Sequence, residues 1–201
     1  MAQALEPVGL DARTGPSYAG QARPPLIVIV VGETVRAQNF GLNGYARPTT
    51  PTLASWQRER GLVNFPQVSA CGTSTEVSLP CMFSPLTRSD GGARKPRHEN
   101  LLDVLQRAGL AVLWLDNQSG CKGICDRVPH DSLRASADTQ ACADGECHDE
   151  VLLESLDQRL AALDPDRRTK GVVLVLHQMG SHGPAYHKRT PTDFKPFTPE
   201  C

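Results

Sequence analysis

Three apolar runs set the frame of this 201-residue chain: "LIVIVVG" at residues 26–32, "LAVLWLDN" at 110–117 and "GVVLVLHQMGSHGP" at 171–184. Each begins rich in Val, Leu and Ile and ends in polar or small residues. A continuous apolar run of this length suits a strand buried on both faces, as in a parallel sheet covered by helices. None of the runs is long enough to span a bilayer, and the N-terminus lacks the apolar core of a signal peptide.

The segments between these runs read mainly as helices and loops. In "RPTTPTLASWQRERG", Thr50 suits an N-cap, Pro51 the first helical position and Gly61 the stop. "LVNFPQV" is a weaker strand interrupted by Pro66, and "TEVSLPCMFS" is a short helix starting near Ser74 or Thr75. "ENLLDVLQRAG" is a helix with Leu101, Val104 and Leu105 on one face, ended by Gly109. "HDEVLLESLDQRLAAL" is amphipathic, with Leu152, Leu156, Leu160 and Leu163 on one stripe. Residues 1–24 mix Gly, Pro, Ala and polar groups without periodicity and read as a linker or arm. Strand alternating with helix predicts an α/β chain built on a mostly parallel sheet. Ligands of such folds sit beyond the carboxyl ends of the strands, which points to Glu33, to residues 116–122 and to residues 177–182.

A net charge of -1 gives no footing for a nucleic-acid partner. Seven cysteines are the unusual count: Cys71 and Cys81, Cys121 and Cys125, Cys142 and Cys147, then Cys201 alone. Close pairs suggest local disulfides in an oxidising compartment; a zinc protein with cysteine knuckles is the alternative. Cys201 implies a partner beyond the residues given.

Several side chains could carry chemistry. Glu33 directly follows a buried strand, where a carboxylate is costly unless paired or metal-bound; it is either a metal ligand or a turn cap. In "SACGTSTEVSLPCM", Thr73, Ser74 and Thr75 stand in a row between two cysteines, at a helix start whose N–H groups favour negative charge. A disulfide between Cys71 and Cys81 would contribute roughly 3 kcal/mol by loop entropy and would fix the turn. A threonine hydroxyl is a weak nucleophile until a base or metal activates it, and Thr73, Ser74 and Ser78 compete with Thr75 on chemistry alone. His177 and His182 follow the third apolar run as ligands, proton donors or plain loop surface. Lys122 in "GCKGIC" is either a phosphate contact or a solvated lysine.

Taken together, "VVGETVRAQNFGLNGYARPTTP", "SACGTSTEVSLPCMFS", "DNQSGCKGICDRVP" and "HQMGSHGPAYHKRTPTDFKPFTPEC" resemble the phosphoethanolamine transferases that modify lipid A, a family that includes the mobile colistin-resistance enzymes. The resemblance runs from about Pro25 to Cys201. It implies an alkaline-phosphatase/sulfatase-like α/β/α sandwich on the periplasmic face of the Gram-negative inner membrane. It implies zinc as cofactor, phosphatidylethanolamine as donor and lipid A as acceptor. Thr75 is then the nucleophile and a zinc-bound group, Glu33 a zinc ligand, and Lys122 a substrate contact. His182 stands near the substrate phosphate or a second zinc, and Gln118 stands where some relatives have asparagine. Cys71–Cys81 and Cys142–Cys147 match family disulfides, and Cys121–Cys125 matches a pair found in some members.

The family completes its zinc site with an Asp-His pair in "DHGE", and no "DHG" occurs here. The expectation is therefore that residues 25–201 are the N-terminal part of a catalytic domain, with a sheet incomplete at its C-terminus. Residues 1–24 would be the linker after absent transmembrane helices, with Met1 an added start. Such a fragment should bind zinc weakly and show little activity. Two rivals stand beside this reading. One is a phosphatase- or sulfatase-type hydrolase, although the sulfatase C/S-x-P-x-R pattern is missing. The other is a non-catalytic, disulfide-stapled binding domain.

Overall fold

A computed structural model of the protein describes residues 4–19, 21–90, 97–133, 141–143 and 146–199. Cys201 lies outside the described residues. In chain order the elements are α1 (Pro16–Ala19), β1 (Leu26–Val31), α2 (Pro51–Glu59), α3 (Thr75–Phe83), α4 (Leu101–Arg107), β2 (Ala111–Asp116), β3 (His130–Ser132), β4 (Cys142–Ala143), β5 (Glu146–Cys147), α5 (Leu156–Ala161), α6 (Pro165–Arg168) and β6 (Val172–His177). No described helix is long and apolar enough to cross a membrane.

The sheet order is β1-β6-β2-β3, and every neighbouring pair in it is parallel. Alternation along β2 and β6 divides their side chains between two cores. Val112, Trp114, Val173 and Val175 face Leu79 and Phe83 of α3 and Leu102 of α4. Leu113, Leu115, Leu174 and Leu176 face Val151, Leu152 and Leu163 on the other side. A sheet covered on both faces is the α/β layering that the apolar runs predict.

The first run departs from that expectation. Among the described strands β1 stands at the edge of the sheet, and Leu26, Val28 and Val30 remain about half exposed while Ile29 and Val31 turn toward the α3 side. "LVNFPQV" forms no strand. Pro66 removes a ladder donor, no described strand lies alongside, and Val63, Phe65 and Val68 stay in solvent. In α4 the buried position is Leu102 rather than Leu101. The reason is the start of the helix: Asn100 and Asp103 form a capping box, Asn100 Nδ2 donates to Ile124 O, and Arg127 clamps Asp103, which fixes the rotation of the helix. The leucine stripe at 152–163 packs as expected, but not on one helix. Ser155 adopts φ 51° and separates a 3-10 turn (Asp149–Leu153) from α5.

Residues 4–19 are docked rather than loose. Val8 N–H donates to Glu99, Arg107 donates to Val8 O, and the Tyr18 ring packs against the core. All three local cysteine pairs are bridged: Cys71–Cys81, Cys121–Cys125 and Cys142–Cys147. The last closes the antiparallel hairpin β4–β5. With their sulfurs joined, these six cysteines do not form zinc knuckles.

Candidate active site

The parallel strands end together, and the residues after β1, β2 and β6 meet there. Glu33 stands two residues beyond β1. Across from it, α3 begins at Thr75, with Ser74 as N-cap in extended conformation. Ser74 makes no side-chain capping bond, so the hydroxyl does not occupy the first-turn N–H groups that attract anions. Pro80 lies inside α3, yet Leu79, Pro80, Cys81 and Phe83 are all buried. The Cys71–Cys81 bridge ties the loop before Thr75 to the helix behind it.

Thr75 Oγ1 donates to Glu33 Oε2 over 2.6 Å, and Thr34 Oγ1 donates to Glu33 Oε1 over 2.7 Å. Burial pushes the Glu33 carboxyl up, but these two hydroxyls, with the imidazoles of His182 and His177, outweigh it and hold the group below the usual glutamate range. A carboxylate kept ionised in this way is a poor base at neutral pH and a good cation ligand. Two oxygens, Glu33 Oε2 and Thr75 Oγ1, are already close enough to share one ion, and oxygen donors of this kind suit zinc or another divalent cation. Among the described residues, no cluster of three His, Cys, Asp or Glu ligand atoms includes Glu33. The one such cluster, Cys121, Cys125 and Asp126, has both sulfurs in a disulfide.

Lys122 sits in the loop after β2, bent by the Cys121–Cys125 bridge, with φ 52°. Its Nζ donates to Ser119 O (2.9 Å) and Ser119 Oγ (2.8 Å), and lies 4.0 Å from Glu76 Oε2. Glu76 follows Thr75, so this cation is brought to the start of α3. Gln118 is buried and acts one step back: its Oε1 accepts from the N–H and hydroxyl of Ser119. His182 is exposed, with Nδ1 2.7 Å from Gly183 O. It is near enough to Glu33 to lower that carboxyl's pKa.

His177, by contrast, is fully buried at the end of β6. Its Nδ1 lies 2.8 Å from Asp116 Oδ2, and its ring packs edge-on to Trp114. Asp116 also accepts from Trp114 Nε1 and from the N–H groups of Gln118 and Gly120. Burial raises the Asp116 carboxyl, yet the bonds from His177 and Trp114 prevail and hold it low. An ionised carboxylate only accepts, so Nδ1 carries the hydrogen. His177 Nε2 is left buried with no hydrogen-bond partner among the described residues.

Asp149 escapes a reading of the sequence. As the first acid of an amphipathic segment it looks like an ordinary helix-start charge. In the structure its carboxylate accepts from Met179 N–H, Gly180 N–H and Asn117 Nδ2. Thr34, beside Glu33, was equally silent.

The sulfatase family profile matches residues 25–201. Phosphoethanolamine transferase EptA of Escherichia coli K12 is 46% identical over 195 residues, which cover 96% of this chain and 34% of the relative. Phosphatidylethanolamine transferase Mcr-1 of Escherichia coli is 41% identical over 186 residues, 89% of this chain and 33% of that one. The chain thus spans about a third of the length of these curated relatives. The solved soluble domain of lipooligosaccharide phosphoethanolamine transferase A from Neisseria meningitidis superposes with TM-score 0.85 at 45% identity, covering 98% of this chain and 57% of that domain. The chain belongs to the sulfatase family, and these relatives, similar along most of it, are named phosphoethanolamine or phosphatidylethanolamine transferases.

Proposed function

We propose that residues 25–201 form part of the catalytic domain of a zinc-dependent phosphoethanolamine transferase, with residues 1–24 leading to it from a membrane anchor. The donor is phosphatidylethanolamine and the acceptor lipid A. The observation that carries this reading is the Thr75 hydroxyl, set at the first position of α3 and hydrogen-bonded to the ionised Glu33 at the strand ends.

In the first displacement the Thr75 hydroxyl gives up its proton to solvent and Oγ1 bonds to the donor phosphorus. The diacylglycerol oxygen departs with its bonding pair and takes up a proton, leaving phosphoethanolamine esterified to Thr75. In the second, a lipid A phosphate oxygen bonds to the same phosphorus, and Thr75 Oγ1 leaves and regains its proton. Glu33 and Thr75 would hold the zinc, which when bound favours the ionised threonine oxygen and offsets phosphoryl charge. The first N–H groups of α3 face the same negative charge. Lys122 supplies a cation beside Glu76, steadied through Ser119 by Gln118. His182, near enough to Glu33 to act on its charge, stands by the substrate phosphate or a second zinc. The three disulfides accord with the periplasmic face of the inner membrane. The product carries an added ammonium group, which lowers the negative surface charge and weakens binding of polymyxins such as colistin.

The test is mass spectrometry of the full-length protein after exposure to phosphatidylethanolamine. A phosphoethanolamine adduct on the Thr75 peptide is expected. Release of free phosphate or phosphoethanolamine to water without an acceptor product would favour the hydrolase instead. Unchanged polymyxin resistance with Thr75→Ala would favour a binding domain.

A further inference from the structure

The loop after β6 touches Glu33 directly. Gly180 has φ +53°, and a Cβ placed on it would lie 2.7 Å from Glu33 O and 3.0 Å from Glu33 N. Ser181 N–H donates to Glu33 O over 3.1 Å. The position of the Glu33 backbone is therefore set by Gly180 and Ser181, and what holds that loop also holds Glu33.

Asp149 holds it. Its Oδ1 accepts from Met179 N–H at 2.7 Å and its Oδ2 from Gly180 N–H at 2.9 Å, so one carboxylate grips two consecutive amides. Asn117, fully buried after β2, donates to Asp149 Oδ1 at 2.9 Å and to Cys147 O at 3.1 Å. Asn117 N–H in turn donates to His177 O at 2.9 Å. The carboxylate thus ties three pieces together: the hairpin closed by Cys142–Cys147, the end of β2, and the loop that presses on Glu33. Three donors converge on it, a task for an acceptor with two oxygens and no hydrogens of its own.

We infer that Asp149 is a positioning residue for Glu33, setting the place of the metal-binding carboxylate through the Met179–Gly180 amides. The inference rests on the proposed zinc role of Glu33. The Asp149 carboxylate bonds to Met179, Gly180 and Asn117 rather than to Thr75, so its influence is on how well Glu33 is placed rather than on donor binding. Asparagine at this position keeps the volume but offers one acceptor oxygen and turns an NH2 toward a donor.

Zinc affinity of the full-length protein is measured by competition with a chromophoric chelator, together with kcat and KM for phosphatidylethanolamine. Partners that orient a metal ligand cost 10–100-fold when lost, so Asp149→Ala should weaken zinc roughly tenfold or more and lower kcat, with KM within about twofold. Asp149→Asn should show a smaller loss of the same kind, and it decides the matter if Asp149→Ala does not accumulate. Glu150→Gln, an exposed neighbour, serves as the unchanged control. A lower melting temperature with unaltered zinc affinity and kcat in Asp149→Asn would make the residue merely structural and overturn the inference. Glu33→Gln is measured in parallel. Loss of zinc there with full affinity in the Asp149 variants sinks this inference alone, whereas full affinity in Glu33→Gln sinks the metal reading beneath it.

Discussion

The Thr75 hydroxyl and the Glu33 carboxylate meet at 2.6 Å although 42 residues separate them in the chain. Their meeting depends on β1 and α3 lying so that the end of the strand faces the start of the helix, and it gives the hydroxyl an ionised neighbour before any substrate arrives. Under the nucleophile role proposed for it, Thr75→Ala in the full-length protein should lower transferase activity at least about 1,000-fold. Thr75→Ser keeps the oxygen at the same place and should retain measurable turnover. Lipid A product analysis by mass spectrometry compares the two.

Zinc should be held poorly by residues 1–201 alone. Tetrahedral zinc takes about four ligands, and the site proposed above offers two, Glu33 and Thr75. Elemental analysis of the purified 201-residue chain should find well under one zinc per chain. A tight one-to-one complex would contradict the assignment.

Asp103 and Arg127 form the clearest acid-sensitive pair. Arg127 Nε and an Nη donate to the two Asp103 oxygens at 2.6 and 2.7 Å, and Asn100 N–H adds a third bond. Burial raises the Asp103 carboxyl, but these partners prevail and hold it below its ordinary value of 3.8. A folded-state pKa depressed in this way contributes stability above the unfolded value and loses it as pH falls through the folded one. Asp103→Asn should cost about 2–3 kcal/mol at neutral pH. It should also flatten the stability loss below pH 3.8. Urea melts at several pH values measure both.

The Cys71–Cys81 bridge closes a short loop that ends at α3. Replacing both cysteines by serine should remove about 3 kcal/mol of stability through loop entropy. It should also reduce kcat, since the loop carrying Thr75 loses its tether. Denaturant melts and transferase assays of the double variant check the two effects.

The sheet is legible in the sequence where both faces of a strand are buried, because β2 and β6 read as unbroken apolar runs. β1 reads identically, and nothing in its residues tells an edge from a centre. The start of α3 is legible because a row of hydroxyl residues and a cysteine pair mark it, although Ser74 makes no side-chain capping bond. Periodicity puts Leu101 inside but does not fix helix rotation; the Asn100–Ile124 and Arg127–Asp103 contacts do, between residues distant in sequence. Ser155 broke a stripe whose spacing still fitted, since packing tests only which side chains face the core. Of the site, Glu33 and Lys122 follow from their place after strands. Asp149 does not, because its partners are backbone amides, which leave no trace in residue identity.

Along its outer margin β1 has no described neighbour, and Leu26, Val28 and Val30 stay about half exposed. Open strand margins of this kind are adhesive, recruiting any extended chain with matching greasy side chains. Two copies of this segment in a test tube should therefore zip together, or clump, unless a further strand seats there first. Glu33 hangs from that very strand. A strand seated along it should steady that carboxylate as it shields the leucine and valines, so that under the zinc role proposed for Glu33 solubility and metal grip would rise and fall with one seam.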